Sequence, residues 1–278
     1  MEKIIYPCLW FNNNAAEAAG FYCSVFEQSK ILKETPIATT FELNGTKFMG
    51  LNGGPTHKVN SAVSYFVYCG NEKEINRLFN VLSKNGQVLF PLDKYDWADK
   101  YAWVVDQFGV NWQLDGDTIN NNQKIVPTLL LGNEKMTMVK NAVSHYTSIF
   151  KNSNILLEAP YPDTANVPEG SLLFAQFKLN DFIFNIMSSP KKLDYDFSPG
   201  NSFVIECDTQ EEIDFYWEKL GQDGRYNRCG WLADKFGVSW QIVPSILSKL
   251  MADPEKGPRV LQAFLKMQKF DIETLKNA

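Results

Sequence analysis

Chemistry in this chain has to come from few residues. Cys8, Cys23, Cys69, Cys207 and Cys229 are odd in number and scattered, and none forms a Cys-x-x-Cys pair. None has a histidine or other base at a recognisable spacing. They are therefore read as reduced thiols rather than as disulfides or nucleophiles. The histidines are His57 and His145 alone, far from each other, which restricts any His-rich metal site. Glu206 is the carboxylate with the most chemical promise. Beside Phe203, Val204 and Ile205 it could carry a raised pKa and serve as a general base. The plainer reading is a glutamate at a strand end reaching water. Arg225 and Arg228 could steer an anion or pair with Glu206, or simply be surface charges. No Gly-x-Gly-x-x-Gly and no phosphate-binding Gly-Lys-Ser/Thr loop occurs, and Gly53-Gly54 reads as a turn.

The elements that would position these residues are written twice. Asp106-Gln-Phe-Gly109-Val-Asn-Trp112-Gln113 returns as Asp234-Lys-Phe-Gly237-Val-Ser-Trp240-Gln241, 128 residues later, with a Trp three residues ahead of each copy at Trp103 and Trp231. Such a period is too long for a solenoid and fits a duplicated domain. Asp-x-Phe-Gly is a turn, with Gly supplying positive φ, and the alternation after it makes a strand. Each half follows one order. Residues 4–11 read as a strand, and 15–26 as a helix with Asn14 as N-cap. A short strand spans 31–33, and a hairpin over 37–51 turns at Asn44-Gly45. The β-α-β-β-β order starts again at Ala62–Cys69, with a helix over 72–83 and strands over 87–90, 101–105 and 110–114. Lys94–Lys100 reads as an aromatic, charged loop. Asp117–Gln123 is the linker, and the second half echoes the first over nearly its whole length. After Pro244 the pattern becomes helical.

The chain has 278 residues, 45% hydrophobic and 14% aromatic, with a net charge of −5. It can fill two domain cores. The charge argues against nucleic acid or an anionic membrane as partner. There is no apolar run of about 18 residues and no leader pattern, so a cytoplasmic protein of bacterial type is expected.

Two βαβββ modules per half, each half closing on Asp-x-Phe-Gly-x-x-Trp, resemble the vicinal oxygen chelate superfamily of glyoxalase I, extradiol dioxygenases and bleomycin-resistance proteins. Phe21-Tyr22-x-x-x-Phe26, Trp97 and the run from Cys229 to Pro244 are similar to its PhnB-like branch. So is the tail stretch Phe264–Ile272. The resemblance implies an α+β fold of two tandem glyoxalase-like domains, 1–118 and 123–244, each a cupped mixed sheet of two modules, plus a helical tail over 245–278. Members of this branch are also labelled demethylubiquinone methyltransferases. A Rossmann-type methyltransferase needs a parallel sheet and a Gly-rich first turn, which this pattern lacks.

In such families four strand positions hold a divalent metal. By strand pattern they fall on Tyr6, Gly50, Ser64 and Gln113, and on Val126, Ile186, Ser202 and Gln241. Only the two glutamines are plausible ligands, and a lone amide oxygen cannot hold a transition metal. No metal or other cofactor is therefore expected. The ligand is expected to be a small apolar or aromatic metabolite, held by Tyr6, Cys8, Trp10, Phe48, Phe66, Tyr68, Trp97, Gln113 and Gln241. Glu206 is the one catalytic candidate. The competing readings are a metal-dependent lyase or dioxygenase of glyoxalase type, and a degenerate domain kept as an internal dimer partner. The molecule is then a monomer acting as a pseudo-dimer, or a homodimer.

Overall fold

The computed structural model describes residues 5–117 and 122–278. Four βαβββ modules and a tail follow in order. The first is β1 (Ile5–Phe11), α1 (Ala15–Val25), β2 (Lys30–Glu34), β3 (Ala38–Leu43) and β4 (Thr46–Asn52). The second is β5 (Val63–Tyr68), α2 (Glu72–Leu82), β6 (Gln87–Tyr95), β7 (Ala98–Val105) and β8 (Asn111–Asp115). The third is β9 (Ile125–Leu131), α3 (Val139–Ile149), β10 (Asn154–Pro160), β11 (Leu172–Leu179) and β12 (Phe182–Ser188). The fourth is β13 (Asn201–Cys207), α4 (Gln210–Gly221), β14 (Arg225–Tyr226), β15 (Trp231–Ala233) and β16 (Ser239–Pro244). Helices α5 (Leu247–Met251), α6 (Gly257–Lys266) and α7 (Ile272–Lys276) form the tail. Of the linker expected over 117–123, residues 118–121 lie outside the described ones, as does Ile4 of the first strand.

These strands make two mixed, eight-stranded sheets. One has the order β14-β15-β16-β13-β1-β4-β3-β2, the other β10-β11-β12-β9-β5-β8-β7-β6. Two tandem glyoxalase-like halves were expected, each closing its own two modules into one sheet; the tandem glyoxalase-like fold is present, but neither sheet is built from the two modules of one half. The strand order adds which modules share a sheet: the second with the third, and the fourth with the first. By compactness the chain divides into one unit of Pro7–Asn201 and another of residues up to Tyr6 with Ser202–Ala278. The second sheet lies wholly within the former.

The repeated octapeptide has a mechanical role. Asp106 Oδ1 accepts the backbone N–H groups of Phe108 and Val110 at 2.8 and 3.0 Å. Its Oδ2 accepts Trp112 Nε1 and the Tyr22 hydroxyl, both at 2.8 Å. Asp234 does the same with Phe236, Val238 and Trp240 Nε1. Gly109 and Gly237 sit at φ +85° and +91°, a region open to glycine at little cost. One carboxylate thus closes the turn and ties down the tryptophan of the next strand.

Several local expectations need correction. Asn14 occupies the N-cap of α1, but its side chain makes no cap bond. Asn52 Oδ1 takes the Ala15 N–H instead, at 3.0 Å. The loop expected over Lys94–Lys100 is mostly strand, since β6 and β7 run on until only Asp96 and Trp97 turn between them. The strand pattern points Gly50 and Ile186 into the cups. Both face helices instead: a Cβ on Gly50 would meet Ala15 and Phe11 at 3.1 Å, and Phe184, on the Ile186 face, stacks on Phe177, which stacks on Tyr146 of α3. A slip of one residue exchanges the faces of a strand. No helix among the described residues is long and apolar enough to cross a membrane.

Candidate functional site

The second sheet gathers its concave face from β11, β12, β9, β5, β8 and β7. In register, Gln176 lies opposite Asn185, Asn185 beside Thr128, and Thr128 opposite Ser64. Partners across a ladder point the same way, so these four form one polar row. Gln113 joins it from β8 by donating its Nε2 proton to Ser64 Oγ at 2.6 Å. Tyr101 in turn donates its hydroxyl to Gln113 Oε1 at 2.5 Å. Ser64, Thr128, Asn185 and Gln113 are all buried.

Aromatic and aliphatic side chains stand over this row. Phe66, Tyr101, Trp103, Val126, Leu130 and Ile183 are buried in one cluster, with Tyr68, Phe90, Tyr95, Met187, Leu193 and Tyr195 packed against it. Phe90 stacks on Trp103 with centroids 6.0 Å apart, and Phe66 lies 5.2 Å from Tyr68. At the hairpin turn Trp97 is 59% exposed and stacks on Tyr95 at 4.9 Å, edge-on to Tyr101. Asp115 closes the row at the strand end, in register with Tyr68 on one side and Tyr101 on the other. Its Oδ1 accepts the Asp117 N–H at 2.8 Å. Burial pushes its pKa up to about 6. Burial also raises the Tyr68 hydroxyl, opposed by the amides of Asn185 and Gln176, and raises Tyr101 further.

The expected ligand residues therefore do not form one cup. Phe66, Tyr68, Gln113 and Trp97 belong to the second sheet, whereas Tyr6, Cys8, Trp10 and Phe48 belong to the first. Phe48 is turned from the concave side into the helix-side core, stacked on Phe41 at 5.6 Å and edge-on to Tyr65 at 5.3 Å. Trp10 is held in place: its Nε1 donates to Gly54 O at 2.8 Å, and its ring lies so close over Gly53 that a Cβ there would sit 2.0 Å away. Cys8 is buried. In the other unit, Tyr6 donates its hydroxyl to Glu206 Oε1 at 2.8 Å, so the catalytic candidate carries a phenol. Gln241 Nε2 donates to Ser202 Oγ at 3.0 Å, which repeats the Gln113–Ser64 pair in the equivalent strands. Thr128, Asn185 and Gln176 were not foreseen. A lone Asn amid the apolar run Phe182-Ile-Phe-Asn185-Ile-Met was the available signal, since an interior polar residue is the informative exception.

The fold family implies a divalent metal, and the side chains present do not fit one. Gln113 and Ser64 spend their polar atoms on each other and on Tyr101, and the rest of the row is amide and hydroxyl. Neutral oxygens of this kind make a poor transition-metal site. Among the described residues no three His, Cys, Asp or Glu side chains converge. Burial pushes the Cys69 thiol up to about 12 and raises Cys23 and Cys229 as well, so none is an activated nucleophile.

Comparison with known proteins fits this geometry. A family model described as 3-demethylubiquinone-9 3-methyltransferase matches residues 2–115 and 123–243. A Bacillus cereus structure described as a putative 3-demethylubiquinone-9 3-methyltransferase, PhnB protein, is 35% identical over 40% of this chain and 96% of its own, with a TM-score of 0.37. A point mutant of glyoxalase I from Zea mays is 10% identical over 87% of this chain and 94% of its own, with a TM-score of 0.58. At that identity the likeness is one of fold. A search of proteins with curated function found no match.

Proposed function

The chain belongs to the PhnB-like family, whose model is described as 3-demethylubiquinone-9 3-methyltransferase, and on that premise we propose that it binds a small aromatic metabolite in a metal-free cup. The observation that carries this is the second sheet's concave face: a buried polar row beneath aromatic walls, the composition that small-molecule sites favour. A methyl donor of the usual kind is not part of the reading. The strand-to-helix turns Asn12–Asn14 after β1 and Cys69–Asn71 after β5 are not the Gly-rich first turn that a Rossmann-type methyltransferase uses for its cofactor. The fold family's shared architecture does not transfer its chemistry either.

The same proposal places the protein in the cytoplasm, with reduced thiols and neither nucleic acid nor membrane as partner. It acts as a monomeric pseudo-dimer. The strand order supports this, because each sheet joins a module of one half to a module of the other, as two copies of a single half would do in a dimer. The deciding experiment is purification without chelator or metal-affinity tag, followed by mass spectrometry of an organic extract and elemental analysis of the protein. A stoichiometric aromatic compound and no metal is the expected result. Near-stoichiometric Mn, Fe, Ni or Zn would replace this reading with a lyase or dioxygenase of glyoxalase type.

A further inference from the structure

The polar row has a direction, and the direction specifies what it can receive. On one side the protons run from Tyr101 to Gln113 at 2.5 Å and from Gln113 to Ser64 at 2.6 Å. The Ser64 oxygen is thereby used as an acceptor, which leaves its own proton as the end of the relay. On the other side Gln176 Nε2 donates to Asn185 Oδ1 at 2.9 Å and to the Tyr68 oxygen at 3.2 Å. The Asn185 oxygen is used as well. Its Nδ2, on a side chain at 0% exposure, lies towards the Tyr68 oxygen that Gln176 already occupies, and makes no bond of hydrogen-bonding geometry. Both relays thus end in donors, on either side of Thr128. A buried amide left without an acceptor is destabilising, and a ligand oxygen in the cup would supply the acceptor. The side chains packed over the row are apolar or aromatic. Charges on this face stand towards its ends: the Asp115 carboxylate, in register with Tyr68 and Tyr101, and Lys178, opposite Ile183 and paired with Asp181 at 2.7 Å. The row itself offers a ligand only neutral donors.

We propose that the cup of the second sheet selects a neutral, planar ring compound carrying a carbonyl oxygen, and that Asn185 Nδ2 is the donor that recognises this oxygen, with the Ser64 hydroxyl as a second donor. The proposal rests on the binding function argued above and adds the ligand's chemical class.

The test compares three probes of one shape on the full chain by equilibrium dialysis: 2-acetonaphthone, 2-ethylnaphthalene, which has a methylene in place of the carbonyl, and the anion 2-naphthoate. The ketone should bind at least about tenfold more tightly than the hydrocarbon, equivalent to about 1.4 kcal/mol, and the anion more weakly than the ketone. Asn185→Leu should erase the preference for the ketone over the hydrocarbon, and Ser64→Ala should reduce it. The comparison of probes on the natural chain needs no variant, so it stands even if either substitution impairs folding. Equal binding of ketone and hydrocarbon overturns the assignment to Asn185 but leaves the binding function standing. No binding of any probe overturns both.

Discussion

Asp106 is buried among four hydrogen-bond donors, yet burial still raises its pKa above the ordinary carboxylate value. Removing it strands the Tyr22 hydroxyl and the Trp112 indole in the core. Asp106→Ala should therefore cost about 3 kcal/mol or more, and Asp106→Asn less, because one acceptor oxygen remains. Urea denaturation of the two variants checks the order. Asp115 behaves differently. Its folded pKa of about 6 lies above the unfolded value of about 3.9, so the folded state holds the extra proton between them. Stability contributed by this group is present at low pH and is lost as pH rises through about 4 to 6. Allowing for partial exposure, Asp115→Asn should stabilise the protein by on the order of 1 kcal/mol at about pH 7.5 and leave it nearly unchanged near pH 4. Denaturant titrations at both pH values would expose the opposite trend. The roles of these aspartates were unevenly legible. The turn at Asp106 could be read from Asp-x-Phe-Gly alone. The environment of Asp115 depends on Tyr68 and Tyr101, brought beside it by strands from elsewhere in the sequence.

Among the elements, the hairpin of β6 and β7 is the one that shapes the cup. Trp97 at its tip contributes a stacked face to Tyr95 and an edge to Tyr101, but most of it is exposed. Trp97→Ala should change stability by less than about 1 kcal/mol and weaken binding of 2-acetonaphthone several-fold. An unchanged affinity, measured by the same dialysis, would place the ligand away from the hairpin. Strand existence was legible throughout from alternation and turn residues. Strand register was not. Ile186 was assigned to the wrong face because in strands with both faces buried, such as β9 and β12, apolar residues give no sign of which side is concave; Gly50 and Phe48 share the buried face of β4, whose alternation shows which face is covered but not whether helix or cup covers it. The same ambiguity hid Thr128 and Asn185, whose neighbours are almost all apolar.

For the whole molecule, the internal repeat was readable and the pairing of its modules was not. Homologous modules carry nearly the same edge chemistry, so sequence alone does not say which of them become neighbours. If each sheet is completed within one chain, the protein needs no second copy. Sedimentation should then give one species of 31.7 kDa at micromolar concentration. A mass twice that would show a homodimer instead.

The strand order also sets a timetable for synthesis. Ile5 and Tyr6 emerge early, yet the unit that contains them also requires Ser202–Ala278. About 200 residues must pass first, roughly 10–40 s at ordinary translation rates. The second sheet needs nothing beyond β12 and can close during that wait. Throughout it, β1 lacks the neighbour that β13 later provides, and such an open strand edge invites pairing with other chains. A nascent chain stalled before residue 202 would then carry a finished second sheet beside an unfinished first one, and would fall to chaperones or proteases because of its edge rather than its core.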